Sequence, residues 1–167
     1  MSAPLILSAL FGPEDFAYLD GLRRTHFPPD RNVIAAHLTM FHHLPPSVAD
    51  EAERRIAEAC KARPPEAVLV EPVNLGRGVA LRVRSEALAE IRAELAEAFA
   101  GLLTPQDSRP WRPHVTIQNK VEAKEARALL EQMQPVWRER PLSVIGLAGW
   151  WYRGGPWEAA FRRSFRG

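Results

Sequence analysis

The chain has 167 residues, 46% of them apolar and 25% charged, with a formal net charge of +2. That length suits one domain with a real core, and the ordinary composition excludes a low-complexity or fibrous protein. One cysteine, Cys60, rules out an internal disulfide framework and fits a reducing cytoplasm.

In chain order, PLILSALFG (4–12) reads as a buried strand. It is too short for a membrane span, lacks the basic start of a signal peptide and runs straight into Pro13, Glu14 and Asp15. Those residues open a helix through GPEDFAYLDGLRRTHF (12–27), with Phe16, Leu19 and Leu22 at roughly helical spacing. NVIAAHLTMFHHL (32–44) is the second predicted strand, and Pro45-Pro46-Ser47 stops it before a helix from 47 to 62. That helix carries Cys60, expected to be a packing residue. EAVLVEPVNL (66–75) and GVALRVRS (78–85) read as two strands around Gly76-Arg77-Gly78.

EALAEIRAELAEAFAGLL (86–103) is the strongest helical pattern, ending near Gly101. After a loop rich in Pro, Asp and Ser at 104–110, RPHVTIQNK (112–120) is a strand and EAKEARALLEQMQ (122–134) a helix. LSVIGLAGWWY (142–152) and WEAAFRRSF (157–165) close as a strand pair around Gly154-Gly155-Pro156. Each half thus reads helix, strand, helix, strand, strand, with an extra strand first. This is an α+β pattern with weak internal duplication rather than strict strand–helix alternation, and 104–110 is the expected boundary between two lobes.

The corresponding strands share a motif. One holds His37-Leu38-Thr39-Met40 and the other His114-Val115-Thr116-Ile117, both His-x-Thr followed by an apolar residue. The chain has only four threonines and five histidines, so two such coincidences in matching strands are a specific signal. Strand side chains alternate faces, so His37 and Thr39 share one face, as do His114 and Thr116, while their neighbours point to the core. A pseudo-twofold relation between the halves would bring the two pairs together across one cleft. Two imidazoles there can take and give a proton, and two hydroxyls can hold the non-bridging oxygens of a phosphodiester, without a metal. A metal site built from His37, His42, His43 and His114 is the rival reading, but their spacing matches no common ligand pattern.

The tandem motifs, in HLTM (37–40) and RPHVTI (112–117), resemble those of the two-histidine (2H) phosphoesterase superfamily, and within it the 2′-5′ RNA ligase-like and RNA 2′,3′-cyclic phosphodiesterase proteins. The resemblance implies one bilobal domain over 1–167: two pseudo-symmetric lobes, each a small antiparallel sheet with outer helices, around a central cleft. It implies His37 and His114 as the catalytic pair, Thr39 and Thr116 as phosphate-holding residues, and opening of 2′,3′-cyclic phosphates of RNA ends or nucleotides to 2′-phosphomonoesters. Some relatives also join RNA through 2′-5′ linkages. Relatives often follow the first motif with Phe-Leu-Gly and place an arginine three residues after the second threonine. This chain has His42-His43-Leu44 and Asn119 there, which bears on substrate identity.

Further substrate contacts are expected from His43, which has the strand parity of His37 and Thr39 where His42 points oppositely, and from Arg112, Arg77, Trp151 and Tyr152. His26, at a helix end, is expected to be structural. Residues 136–167 carry six arginines against two glutamates, a local charge of +4 that suggests an anionic partner such as phosphate or RNA, although charge alone favours a solvated arginine-rich surface. The expected partners are RNA with cyclic phosphate ends or small cyclic nucleotides. No cofactor, metal or membrane is expected, and the chain is expected to be a cytoplasmic monomer. The alternative from another class is a noncatalytic RNA- or nucleotide-binding module using the same cleft.

Overall fold

A computed structural model describes residues 3–166. Apolar segments from the two ends of the chain meet in its first sheet. β1 (Leu5–Phe11) is buried along nearly its whole length, so it must lie between neighbours and be covered on both faces. It pairs antiparallel with β2 (Leu38–Leu44) on one side and β7 (Val144–Trp151) on the other, and β7 pairs with β8 (Glu158–Ser164), giving the order β2-β1-β7-β8.

The second sheet has the order β5-β4-β3-β6, from β3 (Val68–Asn74), β4 (Val79–Arg84), β5 (His114–Gln118) and the two-residue β6 (Arg140–Pro141). The β3–β4 turn needs its glycines. Gly76 has φ +93°, and a Cβ on Gly78 would collide with the Gln118 carbonyl of β5.

Among the described residues five α-helices accompany the sheets: α1 (Pro13–His26), α2 (Ala49–Ala59), α3 (Glu86–Ala98), the single turn α4 (Pro105–Ser108) and α5 (Ala123–Met133). Ser85 caps α3 by accepting from the Leu88 N–H. One core runs from Leu5, Leu7 and Leu147 of the first sheet to Leu69, Leu81 and Val115 of the second. The α+β class and the two antiparallel sheets are those expected from the sequence.

Three expectations are corrected. The strand over 32–44 forms only from Leu38, because the preceding segment folds onto itself and onto α1: the Ala36 N–H donates to Asp20. The helix expected to end near Gly101 ends at Ala98, where Phe99 turns into the core and Gly101 takes φ +86°. Residues 104–110 are not a boundary. The hairpin β3–β4 of the first half joins β5 of the second, and β7–β8 joins β1 and β2 of the first, so each sheet draws on both halves. The basic tail is also broken up by ion pairs, with Arg140 on Asp15, Arg153 on Glu158 and Arg163 on Glu53.

Candidate active site

The two His-x-Thr strands occupy equivalent places. β2 and β5 are each the edge strand of a four-stranded sheet, and the two edges approach each other. An edge strand leaves carbonyls without ladder partners. Here side chains take them up: Trp111 Nε1 donates to the Thr39 carbonyl at 3.1 Å, and Arg23 Nη1 to the Thr116 carbonyl at 2.9 Å. Each donor lies in the segment leading to the opposite motif from the one it braces. Arg92 adds a third bond, Nε to the Met40 carbonyl at 2.8 Å.

The histidines are anchored alike. His37 Nδ1 lies 2.8 Å from the carbonyl of Ala35, and His114 Nδ1 lies 2.8 Å from that of Arg112, in each case two residues back. A carbonyl only accepts, so each Nδ1 carries the hydrogen and each neutral ring keeps its lone pair on Nε2. Both histidines and both threonines line one cleft of about 560 Å³.

The two imidazoles differ in setting. The Trp157 ring lies against His37, with centroids 4.7 Å apart and planes inclined by 58°. Desolvation lowers the His37 pKa from 6.5 to about 4; the bond to Ala35 opposes this, and the charges of Arg23, His114 and His42 add to it. A ring in that setting stays neutral through physiological pH. Trp157 stands just before β8 and also walls an apolar pocket of about 520 Å³ beside His37.

Sequence parity fails at the end of β2. The ladder with β1 pairs Ser8 with Thr39, Leu7 with Phe41 and Leu5 with Leu44, so β2 carries two extra residues. Each bulge reverses which face the next side chain takes. Phe41 is therefore in the core at 0% exposure, under the Arg92 guanidinium at 4.0 Å. His42, expected to point away, lines the cleft, whereas the exposed His43 does not.

His42 meets Asp107 of α4. Its ring Nδ1 is 3.1 Å from Oδ1, and the backbone N–H groups of His42 and His43 donate to the same carboxylate at 2.9–3.0 Å. Asp107 is 1% exposed. Desolvation opposes its ionisation, but the bonds from the His42 ring and the two N–H groups outweigh it and hold the carboxyl below its usual range. A Pro- and Ser-rich segment gave no hint that its aspartate would be buried.

The remaining candidates divide. Arg112 lines the cleft, along with Arg109. Tyr152 borders a 340 Å³ opening on another side of His37 and Thr116, near Lys120. Trp151 packs on the core instead, in register with Leu5. Arg77 is a clasp: its Nε donates to the Val121 carbonyl and its own carbonyl accepts from the Val121 N–H, which fixes the loop holding Lys120 at φ +62°. Cys60 is buried and its thiol is raised to about 11, as a packing residue should be. Among the described residues no three His, Cys, Asp or Glu side chains group as a metal site. No helix among them is long and apolar enough to cross a membrane.

The fold has counterparts among known proteins. TT0787 of Thermus thermophilus superposes with a TM-score of 0.65 at 16% identity over 98% of both chains. E. coli LigT complexed with NADP+ gives 0.62 at 17% over 99% of both, and a protein described as a phosphoesterase gives 0.61 at 18% over 100% of both. No curated protein matches the sequence. The family model of the 2′-5′ RNA ligase superfamily matches residues 11–156, and on that match, which spans both His-x-Thr motifs, the chain belongs to the 2′-5′ RNA ligase superfamily.

Proposed function

We propose that the protein is a metal-independent phosphodiesterase that opens 2′,3′-cyclic phosphates of RNA ends or nucleotides to 2′-phosphomonoesters. The observation that carries this is the mirrored anchoring of His37 and His114, whose Nδ1 atoms are both committed to a carbonyl two residues back. Each ring thereby keeps Nε2 for proton transfer, beside a threonine hydroxyl in the same cleft. The fold relative E. coli LigT has been crystallised with 3′-AMP and with phosphate, which is in keeping with a nucleotide phosphate in this cleft.

His37, kept neutral by burial, is the general base. Its Nε2 takes a proton from water as the water oxygen bonds to phosphorus. His114 is the general acid: its Nε2 gives a proton to the ribose O3′ as the P–O3′ bond breaks, leaving the phosphate on O2′. Thr39 and Thr116 donate to the non-bridging oxygens, whose charge grows in the transition state. The proton gained by His37 and lost by His114 is restored through solvent.

The test is a panel of 2′,3′-cyclic nucleotides and cyclic-phosphate-ended oligoribonucleotides, with products assigned by phosphorus NMR. The expected result is 2′-phosphomonoester, unaffected by EDTA, with His37→Ala and His114→Ala each losing about 10²–10⁴-fold in kcat. Full activity in either variant, or loss on chelation, overturns the mechanism.

A further inference from the structure

Beyond the two motifs, the cleft holds a second group of donors that the reaction above does not use. His42, Arg109 and Arg112 lie on the same cleft wall system as the catalytic pair. Three features set this group apart from an ordinary basic surface.

The first is how His42 is held. His37 and His114 rest on neutral carbonyls, whereas His42 rests on a carboxylate, Asp107. With Nδ1 turned to Asp107, the Nε2 edge faces away from it, and the side chain keeps 42% of its surface open. With Asp107 accepting from Nδ1, Nε2 is the ring nitrogen left to meet a ligand.

The second is the fate of Asp107, the one acidic side chain lining the cleft among the described residues. Asp107 is buried, and the His42 ring and the His42 and His43 N–H groups occupy its oxygens. Its oxygens therefore present no free acceptor to a ligand in the cleft.

The third is that the arginines are uncommitted. Among the described residues neither Arg109 nor Arg112 forms an ion pair, although both line the cleft that Asp107 borders. A cleft lined by one sign of charge concentrates anions.

We infer that His42, held by Asp107, forms with Arg109 and Arg112 a second phosphate subsite, so that preferred substrates carry a phosphate in addition to the cyclic one. This rests on the phosphodiesterase reading. A 5′-terminal phosphate on a mononucleotide and the next phosphodiester of an oligoribonucleotide present the same chemistry, an anionic oxygen pair or triad to be met by N–H donors.

The experiment compares three substrates: adenosine 2′,3′-cyclic phosphate, the same compound with a 5′-phosphate, and ApA ending in a 2′,3′-cyclic phosphate. The readout is the ratio of kcat/KM for each phosphate-bearing substrate to that for the first. The wild type should show a ratio of about ten or more, reflecting a charge-assisted hydrogen bond or two. His42→Gln and Arg109→Ala should each bring it down several-fold, and together bring it close to one. Whichever substrate shows the larger ratio identifies the source of the phosphate.

A wild-type ratio near one, with the cyclic phosphate turned over, overturns the subsite and leaves the phosphodiesterase reading standing. So does an undiminished ratio in both variants. If no cyclic phosphate is turned over at all, the phosphodiesterase reading fails instead. Binding of adenosine 2′,5′-bisphosphate against adenosine 2′-phosphate, measured by calorimetry in wild type and His42→Gln, then decides the subsite alone. Equal affinities in the wild type overturn it.

Discussion

The His37 and His114 strands occupy equivalent positions, yet they are built differently. Both are sheet edges, both anchor their histidine on a carbonyl two residues back, and both have the threonine carbonyl braced from the opposite motif's side. β5 is short and has a single register shift against β4, whereas β2 carries two extra residues against β1. Those residues bury Phe41 and deliver His42 to the cleft. Trp157 covers only the His37 side. The symmetric parts suit the proposed two-histidine proton transfer, and the asymmetric parts distinguish its proposed roles: the buried His37 as base, with the proposed second phosphate subsite next to it.

The comparison breaks most visibly in catalysis. Losses of about 10²–10⁴-fold for both His37→Ala and His114→Ala would confirm that the two are a pair, and a large effect for one alone would make the symmetry ornamental.

Next in size is the bracing. Arg92 and Arg23 are both buried on helices that precede the motif strands, and both donate to edge carbonyls. Arg92→Met removes bonds to the Met40 and Asp107 carbonyls and should cost about 2–4 kcal/mol in a urea melt. Arg23→Met loses one carbonyl and the half-buried Asn32 side chain, which water can reach, and should cost about 1–3 kcal/mol. Equal costs would mean that the α4 attachment contributes little.

The Trp157 contact can be tested through pH. The base must be unprotonated, so kcat/KM should fall as pH drops through about 4, the value burial imposes on His37. Trp157→Ala exposes the ring and should move that acid limb up toward 6.5, so that activity at pH 5 falls relative to pH 7. The same lowering acts on stability. Between pH 6.5 and about 4 the unfolded chain binds a proton at His37 that the folded chain does not, so stability declines as pH falls across that window. His37→Asn should flatten the decline. A limb that stays near 4 in Trp157→Ala assigns the shift to other walls of the site. The smallest effect expected is that of Trp111→Phe, about 1 kcal/mol for one bond to the Thr39 carbonyl.

Much of this architecture is readable from residues alone. Apolar runs and turn residues mark seven of the eight strands, and the repeated His-x-Thr marks the centre of the site. What escapes sequence reading is whatever depends on partners distant in the chain. Parity counting assumes an unbroken ladder. Met40 and Phe41 are both apolar, so nothing in their order announces that one residue is extra and that His42, not His43, reaches the cleft. Asp107 looks like any loop aspartate until β2 is laid beside it. Trp157 stands just before the last strand, and its contact with His37 joins segments distant in the chain. The sorting of hairpins between sheets is invisible for the same reason, since either sheet could accept either hairpin on pattern alone.

That sorting has a consequence for how the molecule comes into being. β1 pairs with β7, and the hairpin of each half completes the sheet that carries the other half's histidine. A ribosome therefore cannot release a finished lobe partway through synthesis: neither edge strand has its full sheet until nearly the whole chain has emerged. Assembly is dominated by contacts between distant segments, which places the protein among the slower folders of its size. It also means that the site is made in a single event, with neither histidine available in working form before the other.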